Sequence, residues 1–134
     1  MITAIDTNIL VDILEPDPKY GPISRDVLKR CFIDGAVIAC EVVWAEIVTA
    51  YGNASEKVIN ELKRIGIEYS AMSLESAIKA AECWHRYRQQ GGSRSRIAAD
   101  FLIGGHALVQ SNRLLTRDNG FYRDYFGSLN VLSS

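Results

Sequence analysis

Five short apolar runs, at residues 1–5, 36–40, 67–70, 114–116 and 129–132, alternate with longer segments of helical periodicity, and this alternation narrows the fold more than any other feature of the sequence. The runs are continuous rather than every-other-residue, the pattern of strands covered on both faces. Helical spacing predicts helices over 8–14, 22–34, 41–51, 56–64, 74–90 and 96–110, with a helical turn at 121–126. The Pro16-Asp17-Pro18 cluster, Gly35, Gly52-Asn53 and Gly66 punctuate them, and Ser55 and Ser73 stand where N-caps are expected. On the helix after Ser73 the inward stripe reads Leu74, Ala77, Ile78, Ala81 and Trp84. Strands alternating with amphipathic helices imply an α/β fold with a mainly parallel, roughly five-stranded sheet and helices on both faces.

A chain of 134 residues fits one domain, here 1–134, and can bury a core without staples. The longest apolar stretch, 101–109, is broken by His106 and falls short of a membrane span. Asp6 cuts the first apolar run short and no basic segment precedes it, which argues against a signal peptide and for a cytoplasmic protein. Cys31, Cys40 and Cys83 are odd in number and widely spaced, so buried free thiols are expected rather than a disulfide framework or zinc site. The net charge of −1 conceals a balance of −5 over residues 1–82 and +4 over 83–134, where every basic residue is Arg. Guanidinium forks suit phosphate, although surface arginines more often solvate a helix face.

Four acids stand out by position. Asp6 and Asp118 each follow a predicted strand, at the sheet edge where open α/β folds bind ligands. Glu46 has Val42, Val43, Thr49 and Ala50 as its helical neighbours, and Asp100 has Ile97, Ile103, Gly104 and Ala107, which turns both toward the apolar side. One inward acid is ordinarily satisfied by an arginine. Four from separate elements, if they converge, require a cation, and an all-oxygen donor set favours Mg²⁺ or Mn²⁺ over zinc. Such a site suits phosphodiester hydrolysis.

These residues carry a family resemblance. Asp6-Thr7-Asn8-Ile9-Leu10 resembles the opening motif of PIN-domain ribonucleases. Glu46 in Trp44-Ala45-Glu46-Ile47, Asp100 within 96–103, and Asp118 in Leu115-Thr116-Arg117-Asp118 resemble the remaining three acidic motifs, and the tail at 120–126 is similar to that of VapC toxins within the family. The resemblance covers essentially the whole chain. It implies a three-layer α/β/α sandwich and a Mg²⁺- or Mn²⁺-dependent endoribonuclease, usually a homodimer, held inactive by a VapB-type antitoxin. By the same resemblance Asp6, Glu46, Asp100 and Asp118 form the catalytic, metal-binding quartet. Asp6 and Asp100 are direct ligands, and Glu46 and Asp118 act through water or on a second ion. Asn8 and Thr116 would orient carboxylates. Asn119 stands where some relatives carry another acid.

The expected chemistry is in-line attack by a metal-activated water on RNA, leaving 5′-phosphate and 3′-hydroxyl ends and needing no histidine base. His85 and His106 are accordingly read as packing or dimer surface. Arg94, Arg96 and Arg117 are candidates for holding the RNA backbone, or for pairing with acids. Surface aromatics such as Tyr122 could stack unpaired bases. A haloacid-dehalogenase phosphatase would need an acid where Asn8 stands, and a receiver domain would need a lysine beyond Lys79. A catalytically inactive PIN-like protein-binding module remains, with Ile9, Val11, Trp44 and Tyr51 as an apolar groove or dimer seam.

Overall fold

The computed structural model describes residues 1–92 and 98–134. In chain order its elements are β1 (Thr3–Ile5), α1 (Thr7–Leu14), α2 (Tyr20–Asp34), β2 (Val37–Ala39), α3 (Glu41–Tyr51), a 3₁₀ turn (Gly52–Ala54), α4 (Ser55–Ile65), β3 (Glu68–Tyr69), α5 (Leu74–Gln89), α6 (Ala98–Gln110), β4 (Arg113–Thr116), α7 (Asn119–Tyr125) and β5 (Val131–Ser133). All five strands are parallel, in the order β3-β2-β1-β4-β5. The central strands β1 and β2 are buried throughout, which is why they read as unbroken apolar runs. The edge strand β3 is short and exposed, and so offers little template for edge pairing.

The strand order fixes where a ligand can sit. From β1 the chain steps outward to β2 and β3, then returns across β1 to build β4 and β5 on the other side. Right-handed crossovers in opposite directions put α1–α4 on one face and α5–α7 on the other, giving the α/β/α sandwich. The direction reverses between β1 and β4. Chain segments leaving those two strands diverge to opposite faces and open a crevice at their C-terminal ends. Asp6 and Asp118 follow those two strands.

Two local expectations are corrected. Ser55 is the first residue of α4 and not its cap: the 3₁₀ turn runs straight into the helix, so Ala54 takes the cap position with no side-chain bond. Ser73 does cap α5, its hydroxyl accepting from the Ser76 amide at 3.1 Å. The buried face of α5, however, is Ser76, Ala80, Cys83 and Tyr87 rather than the Leu74–Ile78 stripe, since Leu74 is 78% exposed and Ile78 50%. Close helix approach decides this. A Cβ on Gly105 of α6 would meet the Ser76 carbonyl oxygen at 2.5 Å and the Ala80 Cβ at 2.8 Å, so only small residues fit at the α5–α6 seam. Beside this seam the larger side chains of Leu74 and Ile78 face outward. Among the described residues no helix is long and apolar enough to cross a membrane, and all three cysteines are buried and free.

Candidate functional site

Asp6 is built into the site by its backbone. It follows β1 in extended conformation, caps α1 by accepting from the Thr7 amide at 2.7 Å, and donates its own N–H to the Leu115 carbonyl of β4 at 3.0 Å. Its second carboxylate oxygen accepts from the Thr116 hydroxyl at 2.7 Å and, more weakly, from the Asn8 amide at 3.4 Å. Thr116 also accepts from the Asp118 backbone N–H at 2.9 Å, and Asn8 accepts from the Arg117 N–H at 3.3 Å. The same hydroxyl thus ties the Asp6 carboxylate to the turn that carries Asp118.

Glu46 comes in from α3, half-buried, with one carboxylate oxygen accepting from the Thr7 hydroxyl at 2.7 Å. Its neighbours Thr49 and Ala50 are exposed, so it sits at the rim rather than on the inward face. Asp100 is half-buried in the first described turn of α6, and Asp118 is half-buried just after β4.

Electrostatics show how these acids bear on one another. Burial is the largest cause raising the Asp6 carboxyl from its ordinary 3.8 to about 6; bonds from Thr116 and Thr7 oppose the rise, and the charges of Asp100 and Glu46 add to it. The Tyr122 hydroxyl on α7 is pushed upward, first by burial and then by the carboxylates of Asp6, Asp100 and Asp118. Asp6 is therefore within electrostatic reach of Glu46 and Asp100, and Tyr122 of three of the four acids.

Among the described residues no group of three or more His, Cys, Asp or Glu side chains is placed close enough to hold a metal ion. The donor chemistry nonetheless fits a hard divalent cation: every candidate ligand is a carboxylate, and the most buried of them has its pKa raised by burial and by its own kind. Asp6, Glu46, Asp100 and Asp118 are the residues that could hold it.

The remaining sequence candidates are placed as follows. The Arg117 guanidinium makes a two-pronged bond with Asp12, at 2.7 and 2.8 Å, and lies over the Tyr20 ring at 4.3 Å. Of the two roles expected for it, pairing with an acid is the one seen here. Arg94 and Arg96 lie outside the described residues. His106 is buried and hydrogen-bonded to Ser70 at 3.0 Å, its pKa lowered by burial, whereas His85 is exposed. Tyr122 is fully buried, which removes it as a surface for stacking bases. Ile9 is core as well.

Three contributors escaped the sequence reading. Thr7 holds Glu46; Asp12, 3% exposed, anchors Arg117 and accepts from Ser24 at 2.8 Å; and Tyr122, expected as a surface aromatic, is instead buried within reach of the acids' charge. Asp12 carried a readable signal, an acid between Val11 and Ile13 in the apolar run at 9–14.

The PIN domain family matches residues 3–126, and the chain belongs to it. No curated protein matches. Among solved structures the fold is shared with VapBC2 from Rickettsia felis bound to a DNA fragment from its promoter, at 19% identity and a TM-score of 0.79, covering 100% of this chain and 99% of that one. VapBC-1 from nontypeable Haemophilus influenzae follows at 17% and 0.77, covering 99% and 98%. A toxin–antitoxin complex from Klebsiella pneumoniae aligns at 15% and 0.72, covering 97% and 95%.

Proposed function

We propose that this chain is a metal-dependent endoribonuclease, the toxin of a VapBC-type pair, which cleaves RNA at a site built by Asp6, Glu46, Asp100 and Asp118. The observation that carries the reading is placement: Asp6 and Asp118 follow adjacent strands at the reversal point of a parallel sheet and are linked through the Thr116 hydroxyl, Glu46 is held by Thr7 beside Asp6, and the charges of Asp100 and Glu46 reach Asp6. Membership of the PIN family and the likeness to VapBC structures support it.

A bound Mg²⁺ or Mn²⁺ would supply an activated water and a counter-charge for the scissile phosphate. The protein's own part is to hold the carboxylates. Thr116 and Asn8 fix one oxygen of Asp6, Thr7 fixes Glu46, and the Thr116 hydroxyl keeps the Asp118 turn beside Asp6. Arg94 and Arg96, which precede Asp100 in sequence, are proposed to engage RNA phosphates. A VapB-type antitoxin as inhibitor and a homodimer as the working form belong to the same proposal.

The test is incubation of the purified chain, free of antitoxin, with mixed cellular RNA and Mn²⁺ or Mg²⁺, beside Asp6→Asn and an EDTA control. Discrete cleavage lost in both controls supports the reading. Absence of cleavage together with absence of cation binding would overturn it in favour of a protein-binding module.

A further inference from the structure

Tyr122 occupies α7, is fully buried, and has its ring set by Phe121 at 5.0 Å and Phe126 at 6.0 Å between centroids. Packing alone would be met by phenylalanine, the residue at both of those neighbours. Among the described residues the hydroxyl nevertheless has no hydrogen-bond partner of ordinary geometry, while Tyr122 stands one helical turn after Asp118, the cap position of α7, and within reach of the Asp6 carboxylate. The buried polar side chains nearby are satisfied: Asp6 by Thr7 and Thr116, Asp12 by Ser24 and Arg117. A buried polar atom left unpaired is costly enough that native cores rarely keep one without a use for it.

Resting on the nuclease reading above, we propose that the Tyr122 hydroxyl is a positioning group of the acidic site, a donor held ready for a carboxylate oxygen when Asp6, Asp100 and Asp118 are drawn together on a divalent cation. The phenol carries one O–H, which a carboxylate oxygen can accept. Asp6 is the natural acceptor. Thr7 uses one of its oxygens and Thr116 and Asn8 the other, which leaves acceptor capacity on the first. A third fixed donor would restrict the carboxylate to one orientation and point its remaining lone pairs toward a cation.

Tyr122→Phe deletes the hydroxyl and keeps the ring. It is compared with the parent chain and with Asp6→Asn in three measurements: cation-free melting temperature, Mn²⁺ affinity by calorimetry, and RNA cleavage. The expected result is melting at or above the parent, with Mn²⁺ affinity and cleavage weakened roughly 10- to 100-fold, as for other groups that orient metal ligands. Parent-like affinity and cleavage in Tyr122→Phe would overturn the proposal. So would a lower cation-free melting temperature, which would make the hydroxyl a core hydrogen-bonding group. If the parent binds no Mn²⁺ and Asp6→Asn is indistinguishable from it, the nuclease reading itself fails and takes this inference with it.

Discussion

Asp6 is pulled between two demands. Burial between β1 and β4 and the neighbouring acids favour its neutral form, while the Thr7 amide and the Thr116 hydroxyl favour the ion. The first pair wins, and the carboxyl rises from 3.8 to about 6. The folded chain therefore holds this proton more tightly than the unfolded chain. The ionisation cost is absent below pH 3.8, grows between 3.8 and about 6, and is complete above that, so stability from this group falls as pH rises through the window. The rise corresponds to roughly 3 kcal/mol, part of which an amide would forfeit in weaker hydrogen bonds. Asp6→Asn is accordingly predicted to be more stable than the parent at pH 8 without cation, by about 1 kcal/mol in urea unfolding, with the advantage shrinking toward pH 4. Mn²⁺ should raise the melting temperature of the parent and leave that of Asp6→Asn unchanged. At this scale the four acids could be singled out because each occupies a telling sequence position. Tyr122 could not, since a sequence does not show which way a phenol points on a short helix.

Among the elements, the turn between β4 and α7 is held from α1. Asp12 grips both prongs of Arg117, and the adjoining Arg117 N–H donates to Asn8, so one helix fixes the loop that presents Asp118. Removing the arginine strands a carboxylate that is 3% exposed. With the guanidinium side one-third exposed, Arg117→Met should cost about 2–3 kcal/mol in urea unfolding, below the full penalty for a wholly buried pair. The double variant Asp12→Leu/Arg117→Met should recover much of that loss, because the unpaired charge is gone. At the other face, α6 carries Asp100 against α5 through Gly105. Gly105→Ala forces a methyl group into the Ser76 carbonyl, and backbone cannot swing aside as a side-chain tip can. A loss of about 3 kcal/mol is expected, together with weaker Mn²⁺ binding as α6 shifts. The same seam explains why the α5 stripe misled. Hydrophobic periodicity reports where apolar area lies, whereas here the buried face was selected for small size at Ser76 and Ala80.

At the scale of the whole molecule, topology brings together acids that are far apart in sequence. Asp6 and Asp118 end adjacent parallel strands at the reversal point, Glu46 arrives with α3 and Asp100 with α6. The alternation of short apolar runs and helices made the parallel α/β sheet readable, down to the number of strands. Convergence was not readable from spacing, since the order β3-β2-β1-β4-β5 is a property of tertiary packing; it entered the sequence reading through family resemblance. The central claim is that the four acids act together on a divalent cation. Its most direct test is Mn²⁺ binding followed by electron paramagnetic resonance on the parent and on Asp6→Asn, Glu46→Gln, Asp100→Asn and Asp118→Asn, each confirmed folded. Saturable binding by the parent, weakened in every variant and most in Asp6→Asn and Asp100→Asn, is the predicted result. Absence of binding by the parent, or binding that no substitution in the quartet alters, would contradict the account.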